Sequence, residues 1–196
     1  MVKKFIWIFF VSDSMTDETE EKILDSALRE FSEKGYSAAT GLNIAKKAGF
    51  SEKTLFRKFK TKKNLFNTVI TQNNDRIMED FNLLLVDDEF KTAQEFLEVL
   101  VKDLADLVDN HFDFVYLTLN ESRRISKETA PEKIPYHLGK YMEKYIQNEK
   151  IDYPVFAMTI LSFLYSVMTD KHKERSFVDH DDAIEKFIGN LVLCLE

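Results

Sequence analysis

Glycine and proline are scarce in this chain, with five Gly and three Pro among 196 residues. The backbone therefore has few points where a positive φ is free or where a helix is barred, and long helices with short connections are favoured. No stretch alternates apolar and polar residues in the manner of a half-buried strand. No internal repeat or low-complexity tract is present. Apolar residues make up 44% of the chain and aromatics 13%, enough to fill a sizeable core. The expected class is all-α, with about nine helices marked by their periodicity and caps.

The first of them is expected over residues 17–34, where Ile23, Leu24, Ala27, Leu28 and Phe31 share one apolar face and Gly35 follows as a C-terminal cap. Thr40, Ser51 and Thr61 are placed to cap three further helices, over 41–47, over 52–59 and from 62 to beyond 80. Two more are expected over 92–110 and 112–125. Residues 126–135, bounded by Pro131 and Pro135, read as a loop, followed by a helix over 136–148. Asp152 caps an apolar helix that has Pro154 in its first turn, and Asp179 to Asp182 open the last one.

Charge is distributed unevenly along this pattern. The chain carries a formal net charge of −7. Residues 43–63 hold eight Lys/Arg against Glu52 alone, a local charge of +7, which leaves −14 for the remainder. Such segregation suits a basic face for a polyanion on an otherwise acidic body. The same residues contain two short helices joined at Gly49. Ile44, Ala45, Ala48, Phe50, Leu55 and Phe59 are spaced to lock them at a steep angle. Glu52, Lys53, Thr54, Arg57 and Lys58 are left on a face able to enter a major groove.

The stretch "TGLNIAKKAGFSEKTLFRKFKTKKNLF" resembles the DNA-binding motif of the TetR family of transcriptional regulators at Thr40, Ile44, Ala45, Ala48, Gly49, Ser51, Thr54, Leu55, Phe59, Lys62 and Leu65. The resemblance implies an N-terminal helix-turn-helix domain over residues 15–64. A helical effector-binding and dimerisation domain over 65–196 would follow. It implies DNA contacts from Thr40 at the start of the second helix and from Lys53 and Thr54 early in the recognition helix. Phe56, Arg57 and Lys58 would lie along the groove wall, and Lys62 would grip phosphate at the N-terminus of the fourth helix. The sequence departs from the family pattern at Phe56, where tyrosine is usual, at Gly41-Leu42, and at the acidic Glu52.

The implied partners are double-stranded DNA, a second copy of the chain and a small, lipophilic effector. Phe96, Leu100, Leu104, Tyr116, Asn120, Arg124 and Phe156 are the candidate effector-pocket residues. The dimer is expected through the last two helices, with Ala157, Ser162 and Ser166 allowing close approach. The expected activity is that of a repressor at a palindromic operator, acting in the cytoplasm. The competing reading is an effector-independent architectural or adaptor protein on the same scaffold.

No cofactor, metal or enzymatic activity is expected. His111, His137, His172 and His180 lack chelating spacing, and no Gly-rich phosphate loop or nucleophile elbow occurs. Cys194 is the lone cysteine and reads as a small core residue. Residues 1–14, "MVKKFIWIFFVSDS", contain an apolar run too short to span a bilayer, so no stable membrane association is expected. They read first as sequence ahead of the real or an alternative start at Met15, next as an extension that packs on the body or a partner, and last as a secretion or membrane-anchoring segment.

Overall fold

The computed structural model describes residues 18–85, 89–125, 129–173 and 176–195. The extension over residues 1–14 lies outside these. Among the described residues there are nine helices and no strand. They are α1 (Glu18–Ala38), α2 (Gly41–Ala48), α3 (Glu52–Phe59), α4 (Lys62–Leu84), α5 (Ala93–Asn110), α6 (Phe112–Asn120), α7 (Ala130–Ile146), α8 (Tyr153–Lys171) and α9 (His180–Leu193).

Side chains that satisfy orphan N–H groups set most of the starts. Thr40, Ser51, Thr61 and Thr92 accept from the backbone N–H three residues on, and Asp152 and Asp179 do the same for α8 and α9. Gly35 breaks α1 where its cap was expected. At φ 73° and ψ 164° it leaves the helical region, and a short separate turn runs on to Ala38.

Two cores result. The N-terminal one collects Ile23, Leu24, Ala27 and Phe31 of α1, Ile44 and Ala45 of α2, Leu55 and Phe59 of α3, and Leu65, Phe66 and Val69 of α4. The division at 64/65 drawn from the sequence falls in the first turn of α4, whose next two turns still belong to this core. Leu117 of α6 also enters it, so body and head share an apolar contact. The second core joins Ile77 and Phe81 of α4 to α5, α7, α8 and α9.

The helix-then-loop reading of residues 112–135 is corrected. α6 stops at Asn120 rather than 125, and α7 begins at Ala130, inside the expected loop, with Pro135 in its body. Pro135 lacks the N–H of that turn and costs about 3 kcal/mol. The stripe Ala130, Ile134, Leu138 and Met142 is fully or almost fully buried and offsets the cost. Two further expectations fail. Cys194 is exposed, because α9 turns Ile184, Ile188 and Leu191 inward instead. Ala157 is completely buried within its own chain and cannot serve a subunit contact.

Candidate nucleic-acid interface

The turn between α2 and α3 is built by backbone bonds. Gly49 sits at φ 81° and ψ 21°, a conformation that favours glycine. Its N–H donates to the Lys46 carbonyl at 3.2 Å, and the Phe50 N–H donates to the Ala45 carbonyl at 2.8 Å. This paired arrangement is a Schellman end, completed by the packing of Phe50 against the N-terminal core. Ile44, Ala45, Leu55 and Phe59 are buried, as their spacing predicts, and Ala48 is partly buried.

The outward face of α3 then carries charge. Lys53 and Arg57 are exposed, and no described residue pairs with either side chain. Thr54 is half-buried, with its hydroxyl 2.9 Å from that of Ser51. Lys58 lies 3.8 Å from Glu20 of α1. Thr40 is exposed at the α2 N-terminus, with its Oγ1 accepting from the Asn43 N–H at 3.2 Å.

Phe56 and Gly41 are complementary. A Cβ on residue 41 would stand 2.7 Å from the Phe56 ring and 3.0 Å from Glu52 Oε1. The two departures from the family pattern, glycine at 41 and phenylalanine at 56, are therefore one packing solution. The ring lies across the first turn of α2 and is partly buried against the N-terminal core. Glu52 folds back over the same turn.

Lys62 has partners inside the chain. Its ammonium donates to the carbonyls of Ala39 at 2.6 Å and Ser37 at 3.3 Å, and stands 4.7 Å from the centre of the Tyr36 ring. It braces the turn that presents Thr40. The same turn is held from the body. Glu121 Oε1 accepts the Tyr36 N–H at 2.8 Å and Glu121 Oε2 pairs with Arg124 Nε at 3.0 Å. Arg124 also donates to Ser37 Oγ at 3.3 Å and lies 5.0 Å from the Tyr36 ring. Tyr36, Ser37 and Glu121 were not legible as a unit, because 85 residues separate Tyr36 from Glu121.

Beneath α2, Glu30 is completely buried. Lys34 and Lys47 bring their ammonium groups to 2.7 and 2.8 Å from its carboxylate oxygens, and Lys47 also reaches Glu33 at 2.8 Å. Burial pushes the Glu30 carboxyl upward, but hydrogen bonds from Lys34 and Lys47 outweigh it and hold the group below the usual carboxylate value. The hydrogen bond to Glu30 raises Lys47 in turn. Lys47 is thus a strut between α1 and α2 rather than a free cation for DNA.

The residues expected to line an effector pocket do not converge. Phe96, Leu100 and Leu104 are buried in the body core, where Phe96 stacks on Tyr145 at 4.6 Å and meets Phe90 edge-on at 5.2 Å. Phe156 is partly buried against that core, and Tyr116 rests near Phe112 at 5.7 Å. Asn120 and Arg124 are exposed at the far end of α6, with Asn120 donating to the Tyr116 carbonyl and Arg124 turned toward the head. Among the described residues no helix is long and apolar enough to cross a membrane, and no cluster of His, Cys, Asp and Glu is arranged to hold a metal.

The described chain thus combines a tight helix-turn-helix, cationic on its outer face, with a larger helical body. Residues 23–69 match the family model described as "Bacterial regulatory proteins, tetR family". The HTH-type transcriptional regulator YvkB of Bacillus subtilis (strain 168) is 43% identical over 56 residues, 29% of this chain and 30% of that protein. The chain spans 30% and 52% of the lengths of the two curated relatives it matches. Two solved structures share the architecture. The ketosteroid transcriptional regulator KstR2 of Mycobacterium tuberculosis has a TM-score of 0.68 at 15% identity, over 93% of this chain and 95% of that one. The fatty acid degradation regulator FadR of Bacillus halodurans has a TM-score of 0.67 at 17% identity, over 91% and 96%. Residues 23–69 are thus similar to the DNA-binding domain of TetR-family regulators, and the described chain shares its fold with these solved regulators. The proteins it resembles are transcriptional regulators, not enzymes.

Proposed function

We propose that the chain is a cytoplasmic transcriptional regulator, a repressor that binds a palindromic operator as a homodimer and is released by a small, lipophilic effector. The observation that carries this reading is the α3 face, where Lys53 and Arg57 stand exposed, without a partner among the described residues, on a helix locked by a buried apolar seam. Both reach base edges or the adjacent backbone, and Thr40 and Thr54 contact phosphate or base. Lys58 lies along the groove wall beside Phe56. Lys62 keeps one N–H for phosphate while two brace the α1–α2 turn.

Selecting binding sites from a random duplex library tests the reading. A palindromic motif bound specifically supports it; sequence-blind binding that vanishes with salt overturns it. At the selected site, Arg57→Ala is expected to weaken binding about tenfold to a hundredfold, measured by fluorescence anisotropy at fixed salt.

Two half-sites require two heads. Val155 and Met158 of α8 and Leu193 of α9 are large apolar residues left more than half exposed, and the exposed Ser162 and Ser166 continue the α8 face. Phe163 and Phe187 stack at 3.8 Å and tie the two helices into one surface. A second copy covering this surface forms the dimer. Met158→Arg places charge at its centre and is expected to yield monomers in analytical ultracentrifugation, with operator affinity reduced accordingly.

The fatty acid degradation regulator and the ketosteroid transcriptional regulator among the structural neighbours support a lipophilic effector. The packing of Phe90, Phe96, Tyr141 and Tyr145 ring against ring favours the second reading, an effector-independent DNA-binding adaptor with a filled body. Release of the operator by fatty acyl compounds or sterols in the anisotropy assay decides for the first; an unchanged affinity decides for the second.

A further inference from the structure

Between head and body lies a cleft of about 330 Å³ that the DNA-reading surface does not use. Its walls come from α1 and α4 on one side, and from the α5–α6 junction and the end of α8 on the other. Its polar groups are only partly satisfied by the protein.

The cations are on the α1 and α4 side. Arg29 is exposed, and no described residue pairs with its guanidinium. Arg76 forms loose ion pairs with Glu21 at 3.6 Å and Asp25 at 3.7 Å and makes a close hydrogen bond to neither.

The acceptors are under-used as well. Asn73 is only 7% exposed; its Nδ2 donates to the Val69 carbonyl at 2.8 Å, and no described group donates to its Oδ1. An amide oxygen at the cleft to which no described protein group donates is able to accept an incoming N–H. Asp113 accepts from Ser32 Oγ at 2.9 Å through Oδ1 and leaves Oδ2 open. Asp109, by contrast, is fully engaged, taking Lys171 at 2.6 Å on Oδ2 and His172 at 2.8 Å on Oδ1. That pairing pins the His172 ring, which stacks on Phe112 at 4.1 Å and 3° to make a flat wall.

We propose that this cleft binds a small zwitterion, a free amino acid or a close analogue. The carboxylate sits on Arg29 and Arg76, the ammonium group donates to Asn73 Oδ1 and Asp113 Oδ2, and the side chain lies along the Phe112–His172 pair. A simple anion would leave Asn73 without a donor and would face the carboxylates of Asp25 and Asp113. A simple cation would meet two guanidinium groups. A ligand with both charges gives Arg29, Asn73 and Asp113 each a partner. The volume is at the low end of ligand pockets, about 300–1,000 Å³, which suits a molecule of this size. Because one wall belongs to the head and the other to the body, occupancy holds the two in one arrangement and alters DNA affinity. The site is separate from the α3 face and from the body core, so its occupancy is measurable whether or not the operator reading holds.

Isothermal titration of the full-length chain with each of the twenty L-amino acids, added singly, tests the proposal. One or a few are expected to bind saturably. Arg29→Gln is expected to weaken that binding at least about tenfold. The melting temperature should stay the same, since Arg29 is exposed and pairs with no described residue. Analogues of the binder lacking either the amino or the carboxyl group are expected to lose as much. Absence of saturable binding by every amino acid up to about 10 mM overturns the proposal. Binding that survives Arg29→Gln, or equal affinity for the deaminated analogue, overturns it too.

Discussion

Gly139→Ala is expected to lower the melting temperature of the chain by about 5–10 °C, as read by circular dichroism at fixed protein concentration. A Cβ at residue 139 would stand 2.9 Å from the backbone nitrogen of Pro154 and 3.0 and 3.1 Å from the carbonyl carbon and oxygen of Tyr153. These are main-chain atoms at the start of α8, and no rotamer change moves them aside. α7 and α8 must separate, which loosens the contacts of Leu138 and Met142 with the body core. Separation of this kind costs about 2–3 kcal/mol, toward the upper end of overpacking penalties. The Tyr153 hydroxyl, which accepts the Asn148 N–H at 2.7 Å and ties the α7–α8 connection, is displaced in the same movement. An unchanged melting temperature would show that the two helices are not in the close contact described.

Glu30→Ala is expected to destabilise the reading head by about 2–3 kcal/mol, because it removes a buried carboxylate that two ammonium groups and the Asn43 amide share. Lys34 and Lys47 are each more than two-fifths exposed and regain water, which keeps the loss below that of breaking a fully buried pair. The effect depends on pH with a defined sign. The folded Glu30 carboxyl is held below its ordinary value of 4.5, so its contribution is complete above that value and is lost as pH falls through the lower, folded one. The stability difference between the parent chain and Glu30→Ala should therefore be level from neutral pH down to about 5.5, and should shrink below 4.5. Urea unfolding across that range measures it. A difference that grows on acidification would mean that Glu30 is protonated in the folded chain.

The N-terminal third was legible because its signals are local. A threonine or serine three residues ahead of an orphan N–H caps a helix wherever that helix lies, so Thr40, Ser51 and Thr61 marked α2, α3 and α4 correctly. Gly49 marked a left-handed turn for the same reason. The apolar spacing over residues 44–59 specified which faces meet, since helices joined by so short a turn have few ways to pack.

The body was legible as helices but not as surfaces. Ala157 and Cys194 both lie in amphipathic runs, and periodicity alone does not say which side of a mostly apolar helix faces α5, α7 and its neighbour. α8 buries Ala157, Ile160 and Leu164, and leaves Val155 and Met158 outside. The α7 start was misread because two prolines within five residues resemble a loop, whereas burial of Ala130, Ile134, Leu138 and Met142 pulls the segment into a helix. That energy exists only once α8 and α4 are in place.

The sequence by itself determined the class of fold, the caps, the helix-turn-helix and the concentration of positive charge there. All of these depend on residues within a turn or two of one another. Only the tertiary structure decided what the long side chains touch. It turned Lys62 inward to the carbonyls of Ser37 and Ala39 and laid Phe56 over Gly41. It set Glu121 and Arg124 against Tyr36, and brought Arg29, Asn73 and Asp113 to one cleft. A lysine or arginine carries a reach of several bonds and no local preference for where its charge ends. Its partner is therefore chosen by which helices, distant along the chain, pack beside it.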